Sequence, residues 1–332
     1  FLNNKVALTG ISISTQSLLI KDLVTITRLL NNDPKLFIAE QFIKNGYLVA
    51  DLKLEFDEFG NIKKNYKFNG FVKDGKISLF KRYDLNKIDF NFEINEKNLK
   101  FNDIKLSLNN KKILMPELNA LKYNKEYSIS GKLNTSNTSL TKNEINKLIY
   151  DNLKGLDIKE ISFSSKNNFK FKINKKLKVK NLDIKSDIYL NNFKLKNSLK
   201  LKNIFSKIQD DFIFKNQKIK LEYKKDNLII SGKGHVFLQS ENDEIHYEIY
   251  KRKNEVKFNT TLNISKNPFK IDILNYKKNK NSKLKLNFQG KNNIKEKLIF
   301  DEISLKENKN IISIKNLILS SDNKIDDIGN IN

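Results

Sequence analysis

The chain has 332 residues, a formal net charge of +25, 39% hydrophobic and 30% charged residues, and no cysteine. Disulfides and thiolate metal sites are therefore excluded, while 23 Phe and 11 Tyr exclude a chain too poor in apolar residues to fold. Only 3 Pro interrupt it, and no stretch approaches the ~20 unbroken apolar residues of a membrane-spanning helix.

Residues 1–13 read as the end of a preceding β unit carrying Val6 and Leu8. The start at Phe1, without Met, charged n-region or cleavage site, reads as processing or as a piece of a longer protein, which leaves room for an anchor upstream. Residues 14–46 predict a helical pair that caps or interrupts a sheet. Thr15 is placed to cap a first helix bearing Leu18, Leu19, Leu23, Ile26, Leu29 and Leu30. Asp33-Pro34 signals a second helix, with Leu36, Phe37, Phe42 and Ile43 as its stripe and Gly46 as its stop.

Residues 47–140 alternate apolar and polar side chains, the period of a strand with one greasy and one wet face. Leu48, Ala50, Leu52, Leu54 and Phe56 form one such run, and Ile88, Phe90, Phe92 and Ile94 another. Strands are expected at 47–56, 65–72, 76–81, 87–94, 98–108, 112–122 and 126–133, with Lys73-Asp74-Gly75 as a hairpin signal. A capping box, Thr141 with Glu144, opens a short helix over 141–155 that turns Ile145, Leu148 and Ile149 inward. Strands resume over 156–320, including the run Val256, Phe258, Thr260, Leu262 and Ile264, and the polar tail at 321–332 is expected to fray.

Four pentads end alike: Tyr66 to Gly70, Tyr127 to Gly131, Leu228 to Gly232 and Leu286 to Gly290 all read apolar-x-apolar-x-Gly. Their uneven spacing excludes a fixed-period solenoid, and glycine at a strand end suits a bulge or tight bend.

Catalytic chemistry is hard to find. His235 and His246 each stand alone, no phosphate loop or nucleophile elbow occurs, and the acidic clusters Asp210-Asp211, Glu241 to Glu244 and Asp326-Asp327 read as solvated turns. A non-enzymatic protein without metal or cofactor is expected. The basic charge is almost all Lys within an Asn- and Ile-rich texture, as AT-rich codons write on any wet face, and Arg at only 28, 82 and 252 argues against nucleic acid.

About eighteen strands at ~4.8 Å spacing make a ribbon near ~85 Å long, with few helices to cover its greasy face. That face is hidden by a sandwich or barrel, by a β-helix whose regular coils the uneven spacing opposes, or by an apolar passenger in an open trough. In the last case the lining is Leu48, Leu52, Leu54, Phe56, Ile88, Phe90, Phe92, Ile94, Phe169, Phe171, Val256, Phe258, Leu262, Ile264, Leu284, Leu286 and Phe288. In the first case the same residues are sealed core, and the pattern alone leaves both readings open.

The serial hairpins, the Gly-ended pentads and the run from Gly70 to Leu79 (Gly-Phe-Val-Lys-Asp-Gly-Lys-Ile-Ser-Leu) resemble the AsmA-like family in its YhdP and TamB branch. The resemblance covers most of residues 40–320 and lies in repeat grammar rather than in any catalytic signature. It implies a mostly β fold: a long, twisted, U-shaped antiparallel sheet, the repeating β-groove, with a few short helices, and groove segments at 47–140 and 156–320. It further implies non-enzymatic phospholipid transport between inner and outer membrane, with acyl chains and both membranes as partners. The expected place is the periplasm, as part of an inner-membrane-anchored protein. The rival expectations are a structural or adhesive β-sandwich repeat protein and a polyanion-binding module.

Overall fold

The computed structural model describes residues 8–31, 33–79, 83–124, 126–149, 157–174, 176, 178–197, 205, 207–253, 255–271, 275–292, 298–320 and 325–332. Val6, Gly155, the end of the strand expected at 76–81 and the side chains of Leu148 and Ile149 lie outside the described residues.

The chain is mostly β. It runs β1 (Gly10–Ser14), β2 (Leu18–Leu19), α1 (Ile20–Leu30), α2 (Pro34–Phe42), β3 (Ile43–Glu55), β4 (Lys67–Leu79), β5 (Tyr83–Ile94), β6 (Asn98–Leu108), β7 (Lys111–Tyr123) and β8 (Glu126–Thr141). Then follow α3 (Lys142–Ile149), β9 (Ile158–Asn174), β10 (Val179–Lys196), β11 (Asp211–Lys224), β12 (Asn227–Phe237), β13 (Asp243–Arg252) and β14 (Glu255–Ile264). The last elements are β15 (Lys270–Ile271), β16 (Tyr276–Lys277), β17 (Leu284–Asn292), β18 (Leu298–Glu307), β19 (Asn310–Leu319) and β20 (Ile325–Ile331). Eighteen strands belong to one antiparallel sheet that does not close, while β15 and β16 form a hairpin of their own.

Two compact units divide the chain, residues 1–136 with 167–182 and residues 137–166 with 183–332. In the first, β3 to β8 pair in sequence order as an antiparallel meander, and β1 and β2 share the free side of β3. In the second, β10 to β14 and then β17 to β20 pair the same way.

Asparagine and aspartate shape these meanders. Of fifteen non-glycine residues described with positive φ, twelve are Asn or Asp, whose short polar side chains tolerate the left-handed region. Asn109 and Asn110 make the two-residue turn between β6 and β7. Others sit inside strands: Asn216 (φ 52°) falls where the β11–β12 register shifts between Lys215 and Lys218. An extra residue at such a bulge bends and twists the strand.

Several local expectations change. Lys73-Asp74-Gly75 does not turn the chain; Asp74 (φ 52°) lies in a bulge within the single strand β4, with its amide donating to Asp89 Oδ1 at 2.8 Å. Thr15 caps no helix. Its hydroxyl and amide engage Ala50 of β3, and α1 begins only at Ile20 with no side-chain cap. Gly46 is not a helix stop but a bulge residue in β3 (φ 140°), since Ile43 already pairs with Ile77. The tail does not fray over its whole length: Ile325, Ile328 and Ile331 pair with Leu319, Leu317 and Ile314, so apolar spacing carries β20 onto the sheet.

Candidate functional site

Register brings the alternating apolar residues of the first unit onto one face. One row runs across five strand boundaries: Ala50, Gly70, Phe92, Phe101, Leu118 and Gly131 are successive cross-strand partners. A parallel row holds Leu52, Phe68, Ile94, Leu99, Ala120 and Ile129. The intervening positions Asp51, Asn69, Glu93, Lys100 and Asn119 make up the opposite, wet face.

The pentad glycines have a common physical cause. Gly70 stands opposite Phe92, and a Cβ at Gly70 would lie 2.8 Å from the ring's Cζ and 2.2 Å from the Val49 carbonyl oxygen. Gly290 stands opposite Phe258 with the same crowding, at 2.9 Å. Gly131 likewise faces Phe169, and Gly232 faces Tyr247. An aromatic ring from the neighbouring strand reaches over each glycine, a pairing that covers exposed backbone with apolar surface. Burial beside Gly232 raises the Tyr247 hydroxyl to about 12.

This face hollows into an apolar cleft of about 320 Å³, at the lower end of ligand-pocket sizes of roughly 300–1,000 Å³. Ala50, Val72 and Phe92 (4% exposed) are its buried packing centre, with Leu48, Phe68, Phe90, Ile94 and Phe101 half-buried around them. The rings interlock: Phe68 and Phe92 centroids lie 5.0 Å apart, and Phe90 meets Phe101 edge-on at 5.7 Å. Ile20, Ile43, Ile77 and Ile88 complete the apolar wall, and of the fourteen lining residues only Asn45 and Lys76 carry polar side chains.

Five of the residues expected to line a groove therefore border this cleft: Leu48, Ile88, Phe90, Phe92 and Ile94. Leu52 and Leu54 continue along β3 outside it, with Ile13 and Ile11 opposite them, and Phe56 follows the strand's end in a bridge to Ile62, all three half-buried. Phe169 and Phe171 stack at 6.0 Å on β9.

In the second unit, Val256, Phe258 and Phe288 are half-buried, and Phe300 packs edge-on against Phe258 at 5.7 Å. Leu262, Ile264, Leu284 and Leu286 are instead sealed, joined by Val236 and Leu305 and covered by Phe205 and Phe269. Phe269 belongs to the segment 265–283, which carries the β15–β16 hairpin.

Buried polar groups hold that segment down, and the sequence does not reveal them. Asn267 donates to the Glu241 carbonyl at 2.7 Å and to Asp243 Oδ2 at 2.9 Å, and Gln239 donates to the Pro268 carbonyl at 2.8 Å. Lys278 Nζ reaches the Ser265 carbonyl at 2.7 Å, and the Tyr276 hydroxyl donates to Glu307 Oε2 at 2.7 Å. Asp243, read in the sequence as solvated, is 1% exposed; burial pushes its carboxyl up to about 6 against the hydrogen bonds from Asn267 and Ser265 and the charge of Lys278. Burial also pushes at Glu307, but hydrogen bonds from Ser282, Tyr276 and the Asn279 amide outweigh it and hold that carboxyl below its usual value. Hydrogen bonds of this kind fix a loop in one arrangement, although the buried Asp243 Oδ1 has no hydrogen-bond partner.

No protein-family model, curated protein or solved structure matches this chain. Among the described residues no three His, Cys, Asp or Glu gather as a metal site, and no helix is long and apolar enough to cross a membrane.

Proposed function

We propose that this protein binds and conducts the acyl chains of phospholipids along the apolar face of its sheet, without catalysis. The observation that carries the reading is the cleft on β3 to β6, walled by Leu, Ile, Val and Phe and only half-buried at its rim. Water gains nothing from such a surface, and each methylene that leaves water for it contributes about 0.8 kcal/mol. A trough that accompanies a tail step by step lowers the barrier to moving it and asks for no reacting group.

The unequal burial of the described residues supports the same reading. Twenty-four large hydrophobic residues are exposed among those described, sixteen of them on strands of the sheet. A sheet with that much exposed apolar surface is completed by an apolar guest or partner. The AsmA-like texture of the sequence adds the setting: transfer between inner and outer membrane, in the periplasm, by a protein anchored in the inner membrane.

Phe90 is the residue to test, because it lines the cleft while only half-buried, whereas a charge at Phe92 would sit in the packing centre and unfold the unit. Titration with a fluorescent fatty acid should saturate the wild-type chain, and Phe90→Asp should weaken binding about tenfold or more with an unchanged far-UV spectrum. Equal binding by the two proteins contradicts the proposal.

A further inference from the structure

The hairpin of α1 and α2 leaves the apolar cleft and returns to it. Ile20, the first residue of α1, and Ile43, the first residue after α2, both line the cleft. Between them the hairpin turns large apolar side chains to solvent: Ile26 is 55% exposed, Leu29 73%, Leu30 85%, Phe37 54% and Ile38 51%. Residues 26, 29 and 30 share one helix face, and α1 buries none of its residues. The contact between the helices is partly polar instead, with Arg28 Nε 2.7 Å from Glu40 Oε2 and the Thr25 hydroxyl donating to Glu40 Oε1 at 2.8 Å. A helix pair made only for water places its polar groups outward and its leucines between the helices.

We propose that this hairpin docks on the surface of a phospholipid bilayer, seating Ile26, Leu29, Leu30, Phe37 and Ile38 at the boundary of headgroups and acyl chains and so bringing the cleft to its lipid. The proposal rests on the acyl-chain reading of the cleft and names the surface from which the guest is taken or to which it is given. The chemistry of the patch favours lipid over a protein partner. It is aliphatic and phenylalanyl, the chain has no Trp, and the hairpin's Arg28 is engaged by Glu40, whereas protein interfaces concentrate their energy in Trp, Tyr and Arg. Charge agrees. Lys21 and Lys44 adjoin Ile20 and Ile43 in sequence, all but Ile20 and Ile43 of these being exposed, and Lys76 lines the cleft itself. Together they outnumber Asp22 beside them and the half-buried Asp33 between the helices, on a chain of net charge +25. Lysines at the cleft end of the hairpin add attraction to an anionic membrane surface that the apolar residues of its far end enter.

The test is flotation of the full chain with vesicles of equal parts phosphatidylcholine and phosphatidylglycerol. Wild type should float with them, less so on phosphatidylcholine alone, and L29S/L30S should lose about tenfold or more in partition, because two exposed apolar anchors are removed. Ile311→Ser, at a residue 60% exposed in the other unit, should float as wild type does. Undiminished flotation of L29S/L30S overturns the proposal, as does a wild type that does not float. Self-association in sedimentation velocity that the same substitutions abolish would assign the patch to a second copy and also overturn it. Fatty-acid titration without vesicles reads the cleft separately, so a docking failure with intact binding leaves the acyl-chain reading standing, and lost binding in wild type sinks that reading first.

Discussion

Asp243 shows how a single side chain escapes a reading by pattern. It stands in an acidic stretch that looks like a solvated turn, yet it opens β13 beneath the segment 265–283 with Asn267 against it. Solvation depends on what folds over a residue, and the covering residues lie more than twenty positions away. Its carboxyl rises from an ordinary 3.8 to about 6, so the folded state holds a proton that the unfolded state has released between those values. Stability from this group is complete below pH 3.8 and lost as pH rises through about 6. Asp243→Asn should therefore be more stable than wild type at pH 8, on the order of 2 kcal/mol after allowing for solvent screening, and the gap should close by pH 4. Urea denaturation at the two pH values measures it, and an equal gap at both contradicts the assignment. Other residues were easier to read: the alternation of Leu48, Ala50, Leu52 and Leu54 predicts their common face, and register places them on it.

At the scale of elements, the short-range signals divide by whether their meaning is local. The capping box at α3 is local and forms as its spacing predicts, with the Thr141 amide donating to Glu144 Oε2 at 2.9 Å. Asp74-Gly75 is the opposite case. The pair suits a two-residue turn or a bulge, and the continued pairing of Ile77, Ser78 and Leu79 with β5 decides for the bulge. The pentads were visible as a repeat, but the reason for their glycines was not, since each ring that needs the space comes from another strand. Gly290→Ala would put a methyl 2.2 Å from the Ile299 carbonyl oxygen and 2.9 Å from Phe258 Cζ, so backbone must move. We expect a loss of about 2 kcal/mol, read from the shift of the urea midpoint. Gly60→Ala is the comparison, because nothing lies within 4 Å of a Cβ there and only its φ of 78° opposes the change. Equal stability of Gly290→Ala and wild type would remove the ring-over-glycine explanation.

For the molecule as a whole, a mostly β architecture follows from the period-two pattern and the scarcity of proline, whereas the pattern alone does not decide that the antiparallel sheet stays unclosed. The sequence does not separate a residue that lines from one that is sealed. Phe258 and Leu262 sit two steps apart on the same face of β14, yet the first is half-buried and the second lies in a core closed by Phe205 and Phe269. What differs is the segment overhead, held by Asn267, Lys278 and Glu307, none of which carries a periodic signal. The first unit has its open counterpart in the cleft, and the proposal of acyl-chain binding rests on that apolar wall. Purification of the full chain without detergent, followed by solvent extraction and mass spectrometry, tests it most directly. The account predicts phospholipid recovered in stoichiometric amount, with less from Phe90→Asp, and protein that yields none would contradict it.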